Sequence, residues 1–84
     1  MNDYDRQVEV AVLNEKILKN QIRAHRFNCG EMTQESLSQR VGVSRQTIVA
    51  IEKGNYNPSV TLALEMARVF GVSVEEIFSL EEKS

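Results

Sequence analysis

The stretch "VGVSRQTIVAIEKGNYNPS", residues 41–59, decides the fold. Four side chains able to hydrogen-bond, Ser44, Arg45, Gln46 and Thr47, open a helix-like segment. Its later positions, Ile48, Val49 and Ile51, are apolar, and it stops at Gly54. Ser44 is a favoured N-cap residue type. The tight turn at Gly42 needs a residue that tolerates positive φ, and glycine does so without a Cβ penalty. Upstream, Thr33 suits an N-cap for a helix from Gln34 to Val41, with Leu37 and Val41 at an i, i+4 spacing. The window Gln34 to Lys53 therefore reads as helix, turn, helix. Leu37, Val43, Ile48 and Ile51 fall where two steeply crossing helices meet. Arg45, Gln46, Val49, Ala50 and Lys53 are left on the outer side of the second helix.

Working outward, three more helices complete the reading. One spans about Asn20 to Asn28, with Ile22 and Phe27 as apolar anchors. One follows Pro58-Ser59 and runs to Phe70. It is apolar on most sides (Val60, Leu62, Ala63, Leu64, Met66, Ala67, Val69, Phe70), so it is expected to be central and well covered. The last begins with the capping box Ser73-x-x-Glu76 and includes Ile77 and Phe78. Met32 and Met66 read as core. The fold class is all-α, with five helices. Residues 1–19 form an N-terminal extension that is open to two readings: Val8, Val10 and Val12 alternate as in a strand, while Val10, Leu13 and Ile17 also fit a helix. A short C-terminal strand is a further option, and 81–84 form a tail.

Length and composition bound the function. The 84 residues fit one small domain, 42% hydrophobic and 26% charged. No apolar run is long enough for a membrane span, and the polar, acidic N-terminus argues against a signal peptide. The one cysteine, Cys29, has no partner within the chain, which suits a reducing cytoplasm. The net charge of −2 is unevenly spread, because residues 61–84 carry five acidic and two basic groups. A DNA-facing surface therefore requires that acid to lie elsewhere. His25 and Cys29 fall short of a metal site or of Cys–His catalysis, having no further ligand and no orienting group. Glu75-Glu76 and Glu81-Glu82 read as a solvated acidic end. No cofactor, metal, membrane or small-molecule ligand is indicated, and no catalytic constellation is present.

"MTQESLSQRVGVSRQTIVAIEKGNYNPS", residues 32–59, resembles the Cro/Xre-type helix-turn-helix regulators, whose domain is the five-helix lambda-repressor-like fold. The match runs through Thr33-Gln34, Leu37, Gly42-Val43-Ser44, Arg45-Gln46-Thr47-Ile48, Ile51-Glu52-Lys53-Gly54 and Tyr56-Asn57-Pro58-Ser59. It continues in "VFGVSVEEIF", residues 69–78, and covers about residues 20–80, with the motif at 34–53. Ser38 replaces the family's usual alanine, but it is small and can bond back to a carbonyl. The first loop, "FNCGEM", is one residue longer than the commonest form.

The resemblance implies a DNA-binding role for named residues. Arg45 and Gln46 enter the major groove, where each can make a bidentate contact worth roughly 1–3 kcal/mol of discrimination. Thr47, Val49 and Ala50 complete the base-reading set. Gln34, Ser44, Lys53, Asn55, Tyr56 and Asn57 contact the DNA backbone. Gly42 holds the turn, and Arg26 and Glu52 form a partly buried ion pair. The implied function is a sequence-specific, double-stranded-DNA-binding transcriptional regulator. It acts in the cytoplasm as a homodimeric repressor on a palindromic operator. The alternative is an antitoxin or other protein-interaction module of a toxin pair that also binds its own promoter. "EEIFSLEE" and "VEVAVL" are the spare apolar segments, free to pair with each other or across a dimer dyad.

Overall fold

Four hydroxyl side chains set where helices begin. Thr33 accepts the backbone N–H of Ser36 at 3.0 Å, Ser44 that of Thr47 at 3.2 Å, and Ser59 that of Leu62 at 3.0 Å. Ser73 accepts from Glu76 at 3.3 Å while the Glu76 carboxylate accepts the Ser73 N–H at 2.8 Å, which closes the expected capping box. Each cap satisfies an otherwise orphaned donor and contributes about 1 kcal/mol. In the computed structural model, which describes residues 16–82, these caps precede α2 (Gln34–Val41), α3 (Arg45–Glu52), α4 (Val60–Phe70) and α5 (Val74–Ile77). Before them lie β1 (Lys16–Asn20) and α1 (Ile22–Asn28), and β2 (Phe78–Glu82) follows α5.

The five helices are present, but the fold is not purely all-α. β1 and β2 form a two-stranded antiparallel sheet, with Lys16 opposite Glu82, Leu18 opposite Leu80 and Asn20 opposite Phe78. Lys16–Asn20 is therefore strand, as is the C-terminal segment, and α1 starts at Ile22 rather than Asn20. Within "EEIFSLEE", the residues from Phe78 on pair with Lys16–Asn20 of the same chain. Val8, Val10, Val12 and Leu13 lie outside the described residues. The long separation between the two strands explains why a local pattern did not reveal their pairing.

The core is one cluster. Ile22, Leu37, Ile48, Ile51, Met66 and Ile77 are fully buried, with Met32, Leu62, Ala63, Ala67, Phe70 and Phe78 around them. α2 packs on α3 and α4, and α4 packs on α5. Ser38 is buried within α2, where its hydroxyl donates to the Glu35 carbonyl at 2.7 Å. The half-buried His25 stacks on Phe70 with ring centroids 5.5 Å apart, and its Nε2 lies 3.0 Å from the Glu76 carbonyl oxygen.

Two expectations about burial fail. Phe27 is 64% exposed and anchors nothing. It lies five positions after Ile22, and that offset turns it away from the buried stripe. α4 is not covered all round either: Val60 is 77% and Leu64 57% exposed, because the neighbours cover only the Leu62, Ala63, Met66, Ala67 and Phe70 side.

Gly42 ends α2 in the left-handed region, with φ 76°, and both its N–H and that of Val43 reach the Ser38 carbonyl. A Cβ built there meets nothing within 4 Å, so a substitution costs only its conformational strain. Gly42→Ala is expected to lower stability by about 1–2 kcal/mol. Gly42→Asn should cost clearly less, since asparagine tolerates that conformation. Urea denaturation of the two variants measures the order, and equal losses would contradict it.

Candidate nucleic-acid interface

The exposed end of α3 is built by what happens at its two termini. At the start, Ser44 is committed to its cap, and its Oγ lies 3.0 Å from the Thr47 hydroxyl. Thr47 is half-buried, whereas Arg45 and Gln46 stand exposed on the first turn. No acidic residue occupies that turn. A cation at a helix N-terminus opposes the macrodipole, at a cost of some tenths of a kcal/mol. Arg45 is therefore poorly placed for the helix's own stability.

At the other end, Glu52 also opposes the dipole, because carboxylates are disfavoured at a C-terminus. It is held there by Arg26. Arg26 Nε donates to Glu52 Oε2 at 2.7 Å and Nη2 donates to Oε1 at 3.0 Å, a bidentate pair with both side chains largely buried. The remaining arm, Nη1, donates to the Met32 carbonyl at 2.7 Å. Glu31 adopts φ 58° and Gly30 φ 77°, so two successive left-handed residues fold the loop to present that carbonyl and bury Met32. Gln34 Nε2 donates to Glu52 Oε1 at 3.4 Å, which fixes the glutamine beside the pair. One N–H of its amide is left for another acceptor.

Among the described residues, four shallow grooves adjoin α3. Arg45, Gln46, Val49, Ala50, Lys53 and Asn55 line one along the helix. Asn55 and Tyr56 wall a second, with Ser44, Gln46, Thr47 and Ala50 on its helix side. On the opposite flank, Arg23 joins Gln34, Glu52 and Arg45 in a third, and Gln34, Val49 and Lys53 in a fourth. The expected outward residues of α3 thus share one surface with Gln34 on one side and Asn55 and Tyr56 on the other. Asn57 is exposed in the same loop. Among the described residues, Glu35 and Glu52 are the carboxylates lining these four grooves, and Glu52 is neutralised by Arg26.

Two residues here were not singled out from the sequence. Arg23 is exposed on α1, and its place beside Gln34 and Arg45 adds a cation to the flank. Its only sequence signal was a lone arginine three positions before Arg26. Asn20, at the end of β1, donates from Nδ2 to the Ile51 carbonyl at 3.0 Å and accepts the Ile22 N–H at 3.2 Å. It satisfies a last-turn carbonyl of α3 and starts α1 with one side chain.

A family model described as helix-turn-helix matches residues 30–77. An uncharacterized HTH-type transcriptional regulator of Methanocaldococcus jannaschii is 49% identical over 65 residues, covering 77% of this chain and 97% of that protein. One from Bacillus subtilis is 45% identical over 67 residues, covering 80% and 100%. The cryptic phage CTXphi transcriptional repressor RstR of Vibrio cholerae is 31% identical over 52 residues, covering 62% of this chain and 47% of RstR. A solved structure from Bacteroides fragilis, 19% identical, shares the fold with a TM-score of 0.67 over 75% of this chain and all of that one.

The ion pair yields a stability prediction. Arg26→Ala or Glu52→Ala strands a largely buried charge and is expected to cost about 3 kcal/mol. The double variant R26M/E52L should regain most of that loss, leaving about 1 kcal/mol for the unpaired Met32 carbonyl. Urea midpoints of the three variants test this; a double variant as unstable as either single one would refute it.

Proposed function

The chain belongs to the helix-turn-helix family of DNA-binding transcriptional regulators, and we propose that it reads a palindromic operator as a homodimer, through α3 in the major groove. The observation that carries this reading is Arg45, an exposed cation on a helix N-terminus that gains nothing from it, in a groove with Gln46, Val49 and Ala50. Arginine suits guanine O6 and N7, and glutamine suits adenine N6 and N7. Val49 and Ala50 offer apolar contact for thymine methyls, and Thr47 stands at the edge of this set. Gln34, Lys53, Asn55, Tyr56, Asn57 and the Ser44 end of α3 are assigned to the phosphates, and Arg23 joins them. Two or three base-reading side chains cover only a few base pairs, so a two-fold pair doubles the site. It places two α3 helices about one helical turn apart, roughly 34 Å. Repression follows when such a site overlaps a promoter, in keeping with the repressor named among the relatives.

A selection from random duplexes, followed by salt-dependent affinity measurements, tests the proposal. The parent should enrich an inverted repeat. Arg45→Ala and Gln46→Ala should each relax the preference at one position per half-site, by about 1–3 kcal/mol. Arg23→Ala should instead weaken binding to all duplexes and reduce the salt slope by about one unit per copy. Variants of Arg45 and Gln46 that select the parent's sequence at the parent's affinity would refute the recognition assignment. A parent with no salt-sensitive sequence preference would refute the function.

A further inference from the structure

Val60 and Leu64 are one helical step apart on α4, and both are largely exposed. Tyr56, just before them, is 54% exposed. These three lie in "GNYNPSVTLAL", residues 54–64, the longest run without Asp, Glu, Lys or Arg in a chain that is 26% charged. Depletion of charge around exposed apolar and aromatic side chains is the mark of an interface centre. DNA does not suit the Val60 and Leu64 side chains, because phosphates call for cations or hydrogen-bond donors. We propose that the Val60–Leu64 face of α4 is where two copies of this chain pair, an inference that rests on the homodimeric reading above and supplies its dyad.

The position fits a second copy. The run leaves the C-terminal end of α3 directly, and Asn55 and Tyr56 wall one flank of the α3 groove while Arg23 and Gln34 wall the other. A copy docked on the Val60 side leaves the Arg23 flank at the outer end of each half-site. The stripe is also self-complementary: with the two α4 helices antiparallel across a dyad, Val60 of each meets Leu64 of the other. The exposed apolar groups of the sheet lack this setting. Ile17 and Leu80 lie among the exposed Lys16, Lys19, Glu81 and Glu82, and charges along strands discourage edge-to-edge pairing. A patch centred on two or three side chains is smaller than the roughly 800 Å² per partner of a standard interface. The pair is accordingly weak when free and is completed on DNA, where adjacent half-sites raise the effective concentration of one copy for the other.

The test uses the full chain, the duplex that the parent selects, and a half-length duplex carrying one copy of its repeat. The parent should bind the full duplex as two copies, cooperatively. Val60→Lys and Leu64→Lys should bind the half-length duplex like the parent but lose about tenfold or more in cooperativity on the full one, the scale of losing a buried aliphatic side chain. Mixing V60K with L64E, which sets opposite charges at the 60–64 contact, should restore cooperativity. Circular dichroism should stay unchanged, since both sites are exposed. A cooperative parent with equally cooperative variants would overturn this interface and leave the homodimer standing. One parent copy per selected duplex would overturn both. Loss of half-length binding in the variants would overturn the interface as well, since the face would then serve DNA contact or folding.

Discussion

The bidentate pair between Arg26 and Glu52 is the interaction on which the placement of α3 depends. Glu52 sits where the helix dipole disfavours it, and Arg26 would be a largely buried cation without it. Together the two charges cancel and join α1 to the end of α3. The third arm of the guanidinium then fixes the α1–α2 loop through the Met32 carbonyl, and Gln34 is held against the same carboxylate. One salt bridge thus sets the relation among α1, the start of α2 and the end of α3. Those are the parts that line the cationic flank of the groove. Lysine in place of Arg26 would lack the planar fork needed for three such bonds.

Around that pair, the domain is stabilised by many small local devices and one modest core. Four hydroxyl caps start helices, and two left-handed glycines, Gly42 and Gly71, end them. The sheet adds a second kind of closure. Asn20 ends β1 by bonding into the last turn of α3, and Gln21 N–H donates to the Ile77 carbonyl at 2.8 Å. The strand pair is therefore mechanically continuous with α3. Asn20, the end residue of β1, lines the groove that Gln34, Val49 and Lys53 share and also helps hold the groove's helix.

The legible parts were those with short-range causes. Helix starts at Thr33, Ser44, Ser59 and Ser73 follow from a side chain three residues before the donor it satisfies, so the letters carried them. The buried Leu37, Ile48 and Ile51 followed from helical spacing. The strand pairing was not legible, because Lys16–Asn20 meets Phe78–Glu82 across nearly the whole chain and no local pattern encodes a partner. The α4 face was misjudged for a different reason. A helix that is apolar on most sides says which side chains would gain from burial, not how many neighbours the fold supplies to cover them.

Sequence alone determined the local geometry: the left-handed turn at Gly42, the capped start of α3 and the polar residues on its first turn. It did so because caps, turns and helical faces depend on residues within a few positions of one another. The tertiary structure alone decided what surrounds that helix. It brought Arg23 beside Gln34 and Arg45, tied Asn20 to the Ile51 carbonyl, and left Val60 and Leu64 uncovered. Those outcomes depend on where distant elements come to rest, and that is fixed by packing the whole core rather than by any one stretch.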